Sequence, residues 1–207
     1  MLDPFRASAG YSRRAFRNKF LHSSIVVLMT FAFLPLLAFS QPAFAGMHID
    51  GKPKVSFFAV GSPGFLDIEG VTSDLVATDD GTTLVFAVKL DTISTGIDLR
   101  DEHMKSKFML TQTYPNATLS LPKASIAWPT ETGKSISATI TAPFSAHGQT
   151  HDVPVEYTVK KSKTGQHITA KFPFDIVNFG IDVPSYLGIT VDTAMHAEVA
   201  FDLVDTP

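Results

Sequence analysis

Thr83-Leu84-Val85-Phe86-Ala87-Val88-Lys89-Leu90 alternates two sets of side chains: Leu84, Phe86, Val88 and Leu90, then Thr83, Val85, Ala87 and Lys89. A period of two puts each set on one face of an extended strand, and Lys89 marks the second face as the one turned to water. The stretch is preceded by Thr78-Asp79-Asp80-Gly81, whose Asp-Gly step supplies the positive backbone angles of a tight hairpin. The neighbouring strand is therefore antiparallel.

The same alternation recurs along the chain. Residues 168–176 set Ile168, Ala170, Phe172, Phe174 and Ile176 against Thr169, Lys171, Pro173 and Asp175. Pro173 has no N–H to give to a ladder and predicts a local break. The last run turns Ala197, Val199, Phe201 and Leu203 inward, opposite His196, Glu198 and Asp202. Further strands are expected at 54–60, 66–70, 74–78, 117–121, 135–143 and 153–160.

One stretch breaks the pattern. Leu99, Met104 and Phe108 fall at helical spacing, so a short helix is expected over about Leu99 to Met109, with Asp98 placed to cap it. Residues 180–195 are rich in turn formers (Gly180, Pro184, Gly188) and read as a long connection or lid, with room for another short helix near Asp192. Trp128, beside Pro129, reads as a packing residue under a loop.

Eight or nine such strands close into a barrel or stack as a sandwich. Inward positions mix large residues (Phe86, Phe172, Phe174, Phe201) with small ones (Ala138, Ala142, Ala170, Ala197). That mixture suits an internal cavity, and it equally suits ordinary large-against-small packing in a solid core.

At the N-terminus, Arg6, Arg13, Arg14, Arg17 and Lys19 precede a nearly uncharged apolar run from Ile25 to Phe39, followed by Ala43-Phe44-Ala45. This order is that of a cleavable signal peptide, with cleavage expected after Ala45. The run of about 15 residues is short for a helix that must cross a hydrocarbon core roughly 30 Å thick. Ser12-Arg13-Arg14-Ala15-Phe16 also has the form of a twin-arginine signal, so the general and the twin-arginine export routes both stay open.

The leader holds five of the 17 basic residues and one of the 20 acidic ones, so the 162 residues after it carry a formal charge of −7. An acidic domain without a basic cluster is a poor partner for nucleic acid or for an anionic membrane held by charge. With no cysteine in the chain, thiol chemistry, iron–sulfur clusters and disulfide staples are excluded.

Four segments carry a resemblance: Thr95-Gly96-Ile97-Asp98-Leu99-Arg100-Asp101-Glu102-His103-Met104, then Tyr114-Pro115, then His147-Gly148-Gln149-Thr150 running into Val153, then Phe179-Gly180-Ile181 with Pro184. In this order and spacing, from Val55 onward, the chain resembles the YceI-like family of exported, polyisoprenoid-binding, lipocalin-like proteins. It departs at Lys107-Phe108-Met109-Leu110-Thr111-Gln112-Thr113, which is less acidic and more apolar than the family's pattern.

The resemblance implies an all-β domain over residues 46–207. Its expected form is an antiparallel eight-stranded lipocalin-like barrel, with a short helix after about the fourth strand. It also implies a long internal channel for an isoprenoid chain, an isoprenoid quinone or a related fatty lipid. The protein would then work in the periplasm as a carrier or sequestering protein, with a role in stress protection or in delivery to a membrane redox or lipid-handling protein. No covalent cofactor is expected, and a homodimer is left open.

On this reading the channel wall is Leu84, Phe86, Val88, Phe108, Phe172, Phe174, Val199 and Phe201. Each is also what a plain core would contain. Arg100, Asp101 and His103 form a polar cluster able to hold a carbonyl or phosphate oxygen at the channel mouth. Asp101 also suits a structural role, offsetting the helix dipole and pairing with Arg100 or with backbone donors.

His147 and His151 are four apart, but the intervening Gly148 argues for a turn, and no metal site is expected. No catalytic residue is assigned, since no nucleophile elbow or phosphate loop appears. Two other classes of function stay in view: a surface-acting interaction domain with a filled core, and a quinone- or lipid-modifying enzyme using Arg100, Asp101 and His103.

Overall fold

The computed structural model describes residues 46–63 and 66–206. The expected leader, its cleavage after Ala45 and the paired arginines lie outside the described residues.

Eleven strands form one antiparallel sheet: β1 (Met47–Ser62), β2 (Leu66–Thr72), β3 (Leu75–Asp79), β4 (Thr83–Lys89), β5 (Asn116–Pro122), β6 (Ser135–Ala146), β7 (Gln149–Lys161), β8 (Gln166–Asp175), β9 (Ser185–Tyr186), β10 (Ile189–Val191) and β11 (Ala194–Asp205). The order is β3-β4-β5-β6-β7-β8-β11-β1-β10-β9, with β2 paired to β1. All nine expected runs are strands. The expected long connection over 180–195 holds a short hairpin, β9–β10, and no helix forms near Asp192.

The expected closed, eight-stranded ladder needs correcting, because the ladder is open. β2 bonds β1 and β3 bonds β4, the chain bending between them at Ser73–Asp74, and no ladder joins β3 to β1 among the described residues. On β1, Gly51 at φ +75° and Pro53, which cannot donate, fall where the register with β11 jumps from Asp50 to Lys54.

Asp79 bridges the seam instead. Its carboxylate accepts the Met47 N–H (2.8 Å), the Gly81 N–H (2.8 Å) and Lys123 Nζ (2.6 Å). Burial pushes the Asp79 carboxyl up, but the Lys123 ammonium and the Gly81 and Met47 amides outweigh it and hold it below the ordinary carboxylate range.

Pro173 does not break β8. The β7–β8 ladder ends at Glu156↔Lys171, so Pro173 lies past the end of that ladder and keeps only its pairing with His196 of β11. Between β5 and β6 just two pairs form, Thr118↔Ser145 and Leu119↔Phe144. The segment after β5 covers the gap: Ile126 and Trp128 pack on the core, Trp128 Nε1–H donates to the Lys123 carbonyl (3.1 Å), and the Ala127 N–H donates to the Tyr157 hydroxyl (2.9 Å).

Registers fix the two ends of the molecule. Leu84 pairs with Leu121, Val159 with Ile168, and Ile49 with Leu203, which gathers Leu84, Val159 and Leu203, all 0% exposed, at the base. At the other end sit α1 (Asp98–His103), the β6–β7 turn and the β9–β10 hairpin.

Helix α1 is shorter than expected and runs into a π-helical turn, Met104–Phe108, closed by the Met109 N–H donating to the Met104 carbonyl (2.8 Å). Its N-cap is Ile97, without a side-chain cap, so Asp98 is the first helical residue and not the cap.

Candidate functional site

The space enclosed by the strands is hollow. A cavity of about 550 Å³ runs between the base and the α1 end, bordered by the inward faces of β1, β4, β5, β8 and β11. This volume lies within the roughly 300–1,000 Å³ typical of sites that enclose one small molecule. The alternation read in the sequence builds the wall directly: inward residues of β4 (Phe86, Val88), β8 (Phe172, Phe174) and β11 (Val199, Phe201) border the cavity, and Phe108 joins them from the π-helical turn.

Leu84 does not border the cavity. It is fully buried beneath it, because the first turn inward from the β3–β4 hairpin belongs to the packed base. Where the wall is small, space remains: Ala170 and Ala197 line the cavity, whereas Ala138 and Ala142 do not. Toward the α1 end an aromatic group narrows it, with the Phe144 ring 5.0 Å from Phe172, 5.6 Å from Phe174 and 5.3 Å from Phe179.

The three predicted polar residues separate. Arg100 and His103 border the cavity. Asp101 does not; it is 8% exposed and faces the chain before the helix. Its carboxylate accepts from Ser94 Oγ (2.7 Å), the Thr95 N–H (2.8 Å) and Thr95 Oγ1. Burial raises the Asp101 carboxyl, but the Thr95 and Ser94 hydroxyls, the Thr95 amide and the Lys105 charge outweigh it and hold it below the ordinary range.

Arg100 makes no bond to Asp101. Its Nε donates to Thr95 Oγ1 (2.7 Å) and Nη2 to the Thr95 carbonyl (2.7 Å), so both residues grip Thr95 and fix α1 across the end of the barrel. The guanidinium is thereby pinned at the cavity edge. The His103 ring meets Tyr186 edge-on at 6.1 Å between centroids, joining α1 to β9 over the mouth.

Other cavity residues were not anticipated. Lys107 borders the cavity with its ammonium 5.3 Å from the Phe108 ring centre. Leu66, Ile97, Leu99, Tyr186 and Ile189 border it while staying substantially exposed, which locates the mouth between α1, β2 and the β9–β10 hairpin. His147, discounted as a metal ligand, shares its Nδ1 with the Phe179 carbonyl (3.0 Å), while His151 meets the Phe179 ring edge-on.

An antiparallel β structure with an apolar cavity open at one end defines a lipocalin-type fold. The chain belongs to the YceI-like family, whose domain model matches residues 43–204. Two solved structures share the fold. One is a polyisoprenoid binding domain from Saccharophagus degradans implicated in plant cell wall breakdown (TM-score 0.64, 15% identity, covering 79% of this chain and 99% of that one). The other is BcnA from Burkholderia cenocepacia (TM-score 0.54, 18% identity, covering 73% of this chain and 96% of that one). No curated protein sequence matches the chain.

Proposed function

We propose that this protein is exported and holds one long apolar molecule, a polyisoprenoid, an isoprenoid quinone or a related fatty lipid, in its internal cavity. It acts as a carrier or sequestering protein, not as an enzyme. The observation that carries the reading is the cavity of about 550 Å³ with an aromatic and aliphatic wall. Each methylene moved from water into such a wall contributes about 0.8 kcal/mol, so a hydrocarbon tail binds without any catalytic group.

Arg100, His103 and Lys107 are the basic residues on the cavity border. In this reading Arg100 and His103 meet the polar end of the ligand at the mouth, and Asp101 keeps α1 in place. Sharing a fold with a domain described as polyisoprenoid binding supports the ligand class.

Ala197 tests the reading. It lies between Phe57 and Phe172 in the register, with its side chain on the cavity. In a solid core a small-to-large change costs about 1–3 kcal/mol. Here Ala197→Phe is expected to fill vacant space. Organic extraction should release lipid from the purified protein and much less from the variant, and once both are stripped of lipid the variant's unfolding midpoint should be no lower. Equal lipid from both would remove the cavity as the site.

A further inference from the structure

The tip of the β9–β10 hairpin is built against its own turn chemistry. Ile189 pairs with Tyr186, leaving Leu187 and Gly188 as a two-residue loop with φ of +48° and +81°. Two positive φ values are the mark of a type I′ turn, which favours Asn-Gly, because an L residue with a bulky side chain is strained there. This chain places leucine at the strained position and leaves it 84% exposed. Folding gains nothing from that choice: the side chain neither packs nor relieves the backbone.

The neighbours of Leu187 give the choice a context. Tyr186 is 58% exposed beside it, and Ile189, Leu66, Ile97 and Leu99 are exposed while also bordering the cavity. The apolar surface is thus continuous from the cavity, through its mouth, to the hairpin tip. Exposed apolar surface of this kind marks a contact site. The occupant follows from what must cross the mouth. A hydrocarbon chain has no favourable path through water, so its exchange requires an apolar medium in contact with the mouth.

Charge points the same way. Residues 98–108 hold three acidic and three basic side chains, a balance that suits neither a strongly charged partner nor attachment by charge alone. A tyrosine next to an inserted leucine matches the depth profile of a bilayer interface, where aromatic rings with a polar tip sit at headgroup level.

We propose that the β9–β10 hairpin and α1 form a membrane-docking rim, in which Leu187 enters the acyl layer of a phospholipid bilayer and the cavity mouth opens onto it. The proposal rests on the cavity being a lipid site and adds where the lipid is exchanged. Docking is hydrophobic: it needs no anionic lipid and survives high salt. None of the described helices is long and apolar enough to cross a membrane.

The chain has no cysteine, so a single introduced thiol can be labelled without background. An environment-sensitive nitrobenzoxadiazole probe is attached to the full chain as Leu187→Cys. A Thr164→Cys variant, in the exposed β7–β8 turn at the base, serves as the comparison. With vesicles of phosphatidylcholine alone, the probe at 187 should shift to the blue and be quenched by a nitroxide on the acyl chain, at low and high salt. The probe at 164 should do neither.

An unshifted probe at 187, equal behaviour at both positions, or a shift seen only with phosphatidylglycerol and lost in salt overturns docking. Leu187→Asn supplies the second arm. It should leave the unfolding midpoint unchanged or higher, since asparagine accepts positive φ, and should slow uptake of a pyrene-labelled fatty acid from the vesicles roughly tenfold, the scale of burying one leucine. A lowered midpoint with unchanged uptake would make Leu187 a packing residue.

Extraction of lipid from the same preparations separates the two readings. Stoichiometric lipid with an unshifted probe overturns docking and leaves the cavity reading standing. A shifted, quenched probe on a chain that carries no lipid supports docking and removes the cavity reading.

Discussion

Asp101 holds three donors at once, two from Thr95 and one from Ser94, and Thr95 in turn receives the Arg100 fork. An asparagine there keeps one acceptor oxygen for the two Thr95 donors but puts an amide where the second oxygen stood, so the Ser94 hydroxyl loses its acceptor. Asp101→Asn should therefore lose about 1–3 kcal/mol in urea unfolding at neutral pH, the range for a buried group left without its partner. The pH dependence has a definite sign. Asp101 and Asp79 both have depressed carboxyls when folded, so the unfolded chain takes up protons first as pH falls. Their contribution is complete above the unfolded value of about 3.9 and is lost as pH drops through the lower folded values. The difference between wild type and Asp101→Asn should accordingly narrow on acidification below about pH 4. A difference that stays constant down to low pH would mean that the carboxylate is not the anchor of α1.

At this scale the sequence is legible in residue type more than in role. Alternation turned Leu84 and Phe86 to the same side, but it carries no information on height along the barrel, and height decides that Leu84 packs the base while Phe86 lines the cavity. Arg100-Asp101 reads as a pair because opposite charges are adjacent. In space the two side chains diverge and meet only through Thr95, a relation that requires the turn before α1 to be known.

Among elements, β1 and β2 carry a device that ties the sheet to the cavity. Gly70 lies opposite Phe57 in the register, and a Cβ on Gly70 would come within 2.1 Å of the Phe57 ring. The ring thus lies across the glycine, as aromatic side chains do on neighbouring strands. Phe57 borders the cavity, so Gly70→Ala is expected to push the ring into it. Bound lipid should fall, and the loss of stability should stay within the roughly 1–3 kcal/mol of an overpacked site. Extracted lipid equal to that of wild type would show that the ring moves elsewhere. The nine long runs were legible because each has one buried face and a period of two. The β9–β10 hairpin was not, since two- and three-residue strands hold too few positions to show a period and Leu187 gives no turn signal, although Gly188 marks where the turn falls. Pro173 likewise announces a break only if both neighbours need its N–H, and β7 ends before reaching it.

For the molecule as a whole, the packed base, the open ladder bridged by Asp79 and the hollow upper part form one arrangement. The apolar cavity is a loss for folding in water, because its wall lacks packing partners, and a ligand that fills it restores them. Ligand and stability are then linked: a bound molecule at about one hundred times its dissociation constant adds about 2.7 kcal/mol. The most direct measurement is mass spectrometry under non-denaturing conditions, before and after solvent extraction. The prediction is one chain carrying one lipid with a long hydrocarbon tail, and a lower unfolding midpoint once that mass is removed. A chain that shows only its own mass from more than one expression host, and melts alike before and after extraction, would contradict the account.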